Sequence, residues 1–270
     1  MDIKLLGPLE VTMNGTVITP SVAKPRQVLA LLAMNAGRVT PASVLVEELW
    51  GDEPVRSAQT TLQTYIMQLR KHFARAGGEG CAKDVLATHY GGYLLNVPAG
   101  NVDVHRYQQL VESGNRAISS GDDETGVRML RSALDLWRGP ALVDVQRGPR
   151  LEIQVTWLEE SRLTAVECRI EAELRLGRHH SVLSELAMLT ALHPMHENLC
   201  ALFMLALHRG GRRWQALQAY SNLRRTLVNE LGVEPAARLQ NLQMAILSAD
   251  EQLEEPEREP LPLPPAAVAS

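Results

Sequence analysis

Cysteine is scarce in this chain, with only Cys81, Cys168 and Cys200 among 270 residues. An odd and scattered set fits reduced thiols and excludes a disulfide framework or a zinc knuckle. Long apolar runs and an amino-terminal signal segment are also missing, so neither a bilayer span nor export is expected and the protein is read as cytoplasmic. Positive charge is not in excess. The 27 Lys and Arg face 31 Asp and Glu, a net charge of −4, which is awkward for nonspecific nucleic-acid binding driven by phosphate neutralisation. No phosphate loop of the Gly-x-x-x-x-Gly-Lys type and no Gly-x-Ser-x-Gly elbow occurs. The histidines gather only at His179-His180 and at His193 with His196. No Cys or carboxylate stands at ligand spacing beside them, and Pro194 breaks a helix that would present both. Neither a metal, a cofactor nor a catalytic residue is therefore expected.

What the chain does have is a helix pattern followed by a glycine hairpin. From Thr60 to Phe73, Leu62, Ile66, Leu69 and Phe73 recur at three- and four-residue spacing and define a buried face. Thr60, Thr64, Met67 and Lys71 fall opposite, flanked by Gln59, Gln63, Gln68 and Arg70. Nothing acidic interrupts the run from Arg56 to Arg75. Amide, hydroxyl and basic groups suit base edges and phosphates, although an ordinary solvated helix face would carry the same pattern. The neighbouring segments decide between the two. Residues 25–35 and 41–50 each read as a short helix with Pro in the first turn and Gly37 or Gly51 as a stop. Thr40-Pro41 supplies a cap, and residues 37–40 read as a short connection. The segment THYGGYLLNV, residues 88–97, supplies a hairpin. Three helices and a hairpin make the winged form of helix-turn-helix. Ahead of them, Asn14-Gly15 between alternating β-formers in residues 9–18 is a strong hairpin signal, and residues 3–6 add a strand.

From Val102 to about Leu247 the pattern is almost continuously helical, rich in Leu, Ala, Glu and Arg. Helices are expected near 103–120, 122–138, 148–176, 180–192, 196–209, 212–231 and 236–248. Gly177-Arg178 and Gly211-Arg212 stand 34 positions apart, a period that points to tetratricopeptide-like helix pairs, with small residues at Ala187 and Ala216–Ala219 for close packing. Trp137, Trp157 and Trp214 are read as core or groove anchors. The composition shift at 98–102 marks a boundary. Residues 1–97 carry nine Lys or Arg against eight Asp or Glu, and the rest is acidic. The expected organisation is a winged helix-turn-helix over 1–97, an all-α tetratricopeptide-like domain over 98–250 and a disordered acidic, proline-rich tail over 251–270. The fold class is mainly α with a small β component.

Particular residues carry a resemblance. Leu6-Gly7-Pro8-Leu9, Glu48-Leu49-Trp50-Gly51, Thr64-Tyr65-Ile66 with Leu69-Arg70-Lys71, and Gly91-Gly92-Tyr93 look like an OmpR-type winged helix. Leu136-Trp137-Arg138-Gly139, Arg162-Leu163, His193-Pro194, Leu205-Ala206-Leu207 and Glu230-Leu231-Gly232 with Glu234-Pro235 look like the bacterial transcriptional activator domain. The whole chain resembles the Streptomyces antibiotic regulatory protein family of transcriptional activators. One position departs from it: many such wings carry Arg after Gly-Tyr where this chain has Leu94, leaving His89 or Lys83 as substitutes.

The resemblance implies promoter DNA as the ligand and a homodimer on tandem direct repeats. It also implies contact with the RNA polymerase sigma factor and α-subunit carboxy-terminal domain, and a secondary-metabolite gene cluster as target. The chain is then expected on the nucleoid. Gln63, Thr64, Gln68 and Lys71 are the candidates for base edges or nearby phosphates, with Thr60, Thr61 and Arg70 positioning the DNA backbone. His89, Tyr90 and Gly91 would lie over the minor groove, and Lys24 and Arg26 would meet phosphate at a helix amino terminus. Tyr65 and Tyr93 suit either an exposed or a buried place. The rival reading, a helical protein-interaction adaptor, accounts for residues 102–248 but leaves 56–97 without a use.

Overall fold

The structure, a computed structural model, describes residues 1–248 and 250, without the side chains of residues 79–81. The tail expected to be disordered lies outside the described residues. Strands β1 (Asp2–Lys4), β2 (Glu10–Met13) and β3 (Thr16–Val17) form an antiparallel sheet in which Ile3 faces Val11 and Thr12 faces Val17. Asn14 and Gly15 link β2 to β3 at φ 50° and 77°, the left-handed conformations that a tight hairpin demands. Helix α1 (Ala23–Met34) buries every residue from Gln27 to Ala33. A helix apolar nearly all round belongs in the interior.

The connection after α1, expected to be a short link, contains a strand. Strand β4 (Val39–Pro41) precedes α2 (Ala42–Trp50), α3 (Ala58–Gly77) and a short α4 (Glu79–Val85). The hairpin of β5 (Leu86–His89) and β6 (Gly92–Leu95) follows. The wing is three-stranded in the order β4-β6-β5, with Val39 opposite Leu94 and Pro41 opposite Gly92. A three-residue strand on an edge, ended by proline, has too little pattern to announce itself. A Cβ on Gly92 would overlap the Thr40 carbonyl, so only glycine permits this approach of β6 to β4.

The remaining helices are α5 (Asp103–Ser119), α6 (Asp123–Leu134), α7 (Pro149–Arg175), α8 (His179–Leu192), α9 (Glu197–Arg209), α10 (Arg213–Leu231) and α11 (Ala237–Ser248). They leave the chain mainly α with a small β component. It divides into two compact units, one formed by Met1–Glu112 with Arg131–Thr164, the other by Ser113–Leu130 with the chain from Ala165 onward. The composition shift at 98–102 falls inside the first unit.

The core of that first unit joins Leu5, Leu6, Leu29, Leu32 and Phe73 to Tyr107, Trp137, Leu142, Leu151 and Leu158. The helix expected over 122–138 stops at Leu134 because the chain beyond it turns to the amino-terminal segment. The Arg138 N–H donates to the Leu6 carbonyl at 2.8 Å, and the Leu142 N–H donates to that of Gly7 at 2.8 Å. Buried Trp137 meets Tyr107 edge-on at 5.5 Å, with the Arg162 guanidinium 4.7 Å from its ring centre. Of the other two tryptophans, Trp214 is 73% exposed and lines a groove of the second unit, while Trp157, 52% exposed, is neither core nor groove and its anchoring role needs correction.

One buried carboxylate organises this unit. Glu48, 2% exposed near the end of α2, accepts N–H bonds from Gly148 at 2.6 Å, Arg150 at 2.9 Å and Leu151 at 3.1 Å. These are first-turn donors of α7 that no residue within the helix can satisfy, and a negative charge there also meets the positive end of the helix dipole. Pro149, between them, has no N–H to lose. Gln27 holds the other side, donating from Nε2 to the Glu48 carbonyl at 2.8 Å and to its Oε1 at 3.0 Å. A Cβ at Gly148 would overlap the Glu48 carbonyl oxygen.

In the second unit, Gly177 and Gly211 sit at φ 74° and 71° in the turns that close α7 onto α8 and α9 onto α10. Helix α9 packs against both α8 and α10, as tetratricopeptide-like pairs do. Asp123 accepts two bonds from Arg175, at 2.6 and 2.9 Å. Cys168 and Cys200 are free and buried, and burial pushes their thiols up to about 11 and about 12.

Two outcomes follow for stability. Glu48→Ala strands the N–H groups of Gly148, Arg150 and Leu151, the last of them buried, and is expected to lower the unfolding free energy by about 3 kcal/mol in urea titrations. A chain cut after residue 97 lacks Tyr107, Trp137 and Leu151 and is expected to show no cooperative urea transition, whereas a chain cut after residue 164 shows one.

Candidate nucleic-acid interface

Helix α3 divides as its spacing demands. Ala58, Leu62, Ile66, Leu69 and Phe73 are buried, while Gln59, Thr60, Gln63, Thr64, Met67, Gln68, Lys71 and Arg75 are exposed. Thr61, Tyr65 and Arg70 lie half-buried at the margins. Gln63, Gln68 and Lys71 make no side-chain hydrogen bond to any described residue, so their donors and acceptors face solvent. The Thr64 hydroxyl donates to the Thr60 carbonyl at 3.1 Å.

The hairpin places Tyr90 and Gly91 at its tip, between His89 and Gly92, which pair across the strands. His89, Tyr90 and Gly91 are all exposed, and the Tyr90 ring stands entirely in solvent. The Gly91 carbonyl accepts the Ala42 N–H at 2.8 Å, fixing the wing tip to the start of α2. Tyr93 is buried and Leu94 half-buried, so the middle strand braces the wing rather than facing outward. Lys83 is exposed.

Three expected contact residues are instead engaged inside the protein. Lys24 donates to the Leu49 carbonyl at 2.8 Å and to Gln27 at 3.3 Å, capping the end of α2. Arg26 bonds the Pro20 and Leu9 carbonyls, both at 3.2 Å, and pairs with Asp144. Its charge is neutralised within the fold. Arg70 donates from Nε and Nη2 to the Leu86 carbonyl at 2.9 and 2.7 Å, and from Nη2 to the Thr88 hydroxyl at 2.8 Å. These three arrangements share a cause: an arginine or lysine beside unpaired carbonyls or a carboxylate is held there by charge-assisted bonds. Arg70 fastens β5 to α3 and so fixes the wing relative to the helix.

Sequence reasoning could not have found Asp144 as the partner of Arg26 or Glu48 as that of the α7 start, because these pairs stand about a hundred residues or more apart. Met67 was already legible, since its spacing put it on the exposed face. Elsewhere, His196 accepts the Leu199 N–H on Nδ1 at 3.3 Å while Nε2 meets Glu167 at 3.0 Å. Both ring nitrogens thus have protein partners. Among the described residues no group of three His, Cys, Asp or Glu could hold a metal ion. The second unit carries an open groove of about 440 Å³ lined by Phe203, Leu207, Ala187 and Trp214.

With this geometry in view, the comparisons with known proteins are specific. Residues 102–247 match the bacterial transcriptional activator domain, and residues 20–95 match the carboxy-terminal domain of transcriptional regulatory proteins. The chain belongs to the Streptomyces antibiotic regulatory protein family. It is 57% identical over 253 residues to Regulatory protein DnrI of Streptomyces peucetius, covering 93% of each chain. It is 39% identical to Regulatory protein AfsR of Streptomyces coelicolor, where it covers 93% of this chain but 24% of that one. Among solved structures, Mycobacterium tuberculosis EmbR in complex with a low affinity phosphopeptide is similar with a TM-score of 0.85 and 33% identity, over 94% of this chain and 68% of that one. Like other members of the Streptomyces antibiotic regulatory protein family, the chain is a DNA-binding transcriptional activator with an OmpR-type winged helix.

The role of Arg70 is open to direct measurement. Arg70→Ala is expected to speed hydrogen exchange across residues 86–89 and to lower stability by about 1 kcal/mol, the bonds being partly solvated. Unchanged exchange there would show that the wing holds its place without this arginine.

Proposed function

We propose that α3 enters the major groove of promoter DNA, with Gln63, Thr64, Gln68 and Lys71 on base edges and the nearest phosphates. Thr60 and Thr61, at the amino-terminal end of the helix, adjoin the DNA backbone, and His89, Tyr90 and Gly91 lie over the adjacent minor groove. The observation that carries this reading is the exposed, acid-free stripe of α3 whose amides and ammonium have no partner among the described residues. A protein with net charge −4 relies on the local potential of one face rather than on overall charge. Residues 1–97 then serve as the DNA-reading segment and 98–250 as the activating segment.

At promoters, two protomers occupy tandem direct repeats side by side. The activating segment brings RNA polymerase to the promoter through its sigma factor and α-subunit carboxy-terminal domain. The targets are genes of a secondary-metabolite, antibiotic-type cluster, and the protein works in the cytoplasm on the nucleoid. The family membership supports this reading, as does the 57% identity to DnrI.

Binding to a promoter fragment across a salt series tests the reading surface. Lys71→Ala is expected to weaken all sequences alike and to flatten the slope of log affinity against log salt by about one unit. Gln68→Ala, by contrast, should cost about 1–3 kcal/mol of discrimination at one position of the site while leaving the slope unchanged. If both variants bind as the parent does, α3 is not the reading element.

A further inference from the structure

We infer that the centre of the α3 face reads thymine, through an apolar strip made by Met67 and Thr64 that fits the 5-methyl group in the major groove. This rests on α3 being the reading element. Met67 is 51% exposed in the middle of an otherwise polar stripe, one helical turn from both Thr64 and Lys71 and with Gln63 and Gln68 alongside. Its neighbour adds a second apolar group. The single hydroxyl proton of Thr64 lies on the Thr60 carbonyl, so Thr64 has no donor left for a base. What it can offer is its γ-methyl and an acceptor lone pair.

Met67 and Thr64 thus turn a thioether and a methyl toward the surface that Lys71 and the two glutamines make polar on either side. In the major groove, thymine differs from the other bases by projecting a methyl group beside its O4 acceptor, and apolar side-chain contact is how proteins recognise it. An unbranched, polarisable thioether adjusts its three rotatable bonds to the position of that methyl. Nor does an arginine compete for the same place, since the guanidinium of Arg70 is tied to Leu86 and Thr88.

The test uses the full chain and a duplex selected by it from a random pool, synthesised once with thymidine and once with deoxyuridine, which removes only the methyl groups. At fixed salt the parent protein is expected to bind the deoxyuridine duplex about four-fold more weakly for each methyl read. Met67→Ala should lose most of this preference for the thymidine duplex and bind the deoxyuridine one about as the parent does. Met67→Leu should keep the sensitivity, and Thr64→Ser should lose part of it. A parent protein indifferent to the methyl, or a Met67→Ala loss equal on both duplexes, overturns the inference. Lys71→Ala on the same duplexes separates the two readings: if it still flattens the salt slope while the methyl has no effect, α3 remains the reading helix and only thymine recognition falls.

Discussion

The fold of the first unit depends on one carboxylate placed where a helix needs it. Glu48 belongs to α2, the helix before α3, yet its two oxygens satisfy the opening N–H groups of α7 a hundred residues further on. A buried charge is costly unless fully bonded. Here the cost is offset by three backbone donors and the Gln27 amide, and the reward is a fixed angle between α2 and the start of α7. Arg150 adds an ion pair to Glu47 at 2.9 Å on the exposed side of the same junction, where it contributes little to stability. Asp103 repeats the device on a smaller scale, accepting the Leu5 and Leu6 N–H groups while burial pushes its carboxyl above the ordinary range.

This arrangement bears on the proposed reading surface. Four basic or amide side chains that might have faced outward, Lys24, Arg26, Gln27 and Arg70, are bound to carbonyls and carboxylates within the unit. The exposed stripe of α3 is left with few cations and many neutral groups. If α3 is the reading helix, as proposed, such a surface depends on the local potential of a few cations and on contacts that depend on sequence. In the proposed reading Arg70 matters through its rigidity: a spacing of helix and wing set before DNA arrives spares binding the cost of ordering them.

Much of the fold was legible because local periodicity carries it. The face of α3 followed from Leu62, Ile66, Leu69 and Phe73, the first hairpin from Asn14-Gly15, and the turns at Gly177 and Gly211 from a spacing of 34 residues. Strand β4 was not legible, because Val39, Thr40 and Pro41 become a strand only when β6 lies beside them. The end of α6 was misread for a related reason. Residues 135–138 have helical composition, but the Leu6 carbonyl draws away the Arg138 N–H. Trp157 was assigned an anchoring role by residue type alone, and residue type does not say which side of a helix faces water.

By itself, then, the sequence determined most of the elements, the winged helix-turn-helix order, the helical pairs and the polar face of α3, since each depends on spacings within a few turns of chain. Only the tertiary structure decided which charges remain free for a ligand and where one packing unit ends. Charges are claimed by whichever carbonyl or carboxylate folds beside them, and Glu48 with Gly148, Arg26 with Asp144 and Leu6 with Arg138 meet across about a hundred residues or more, a distance over which no local pattern records the pairing.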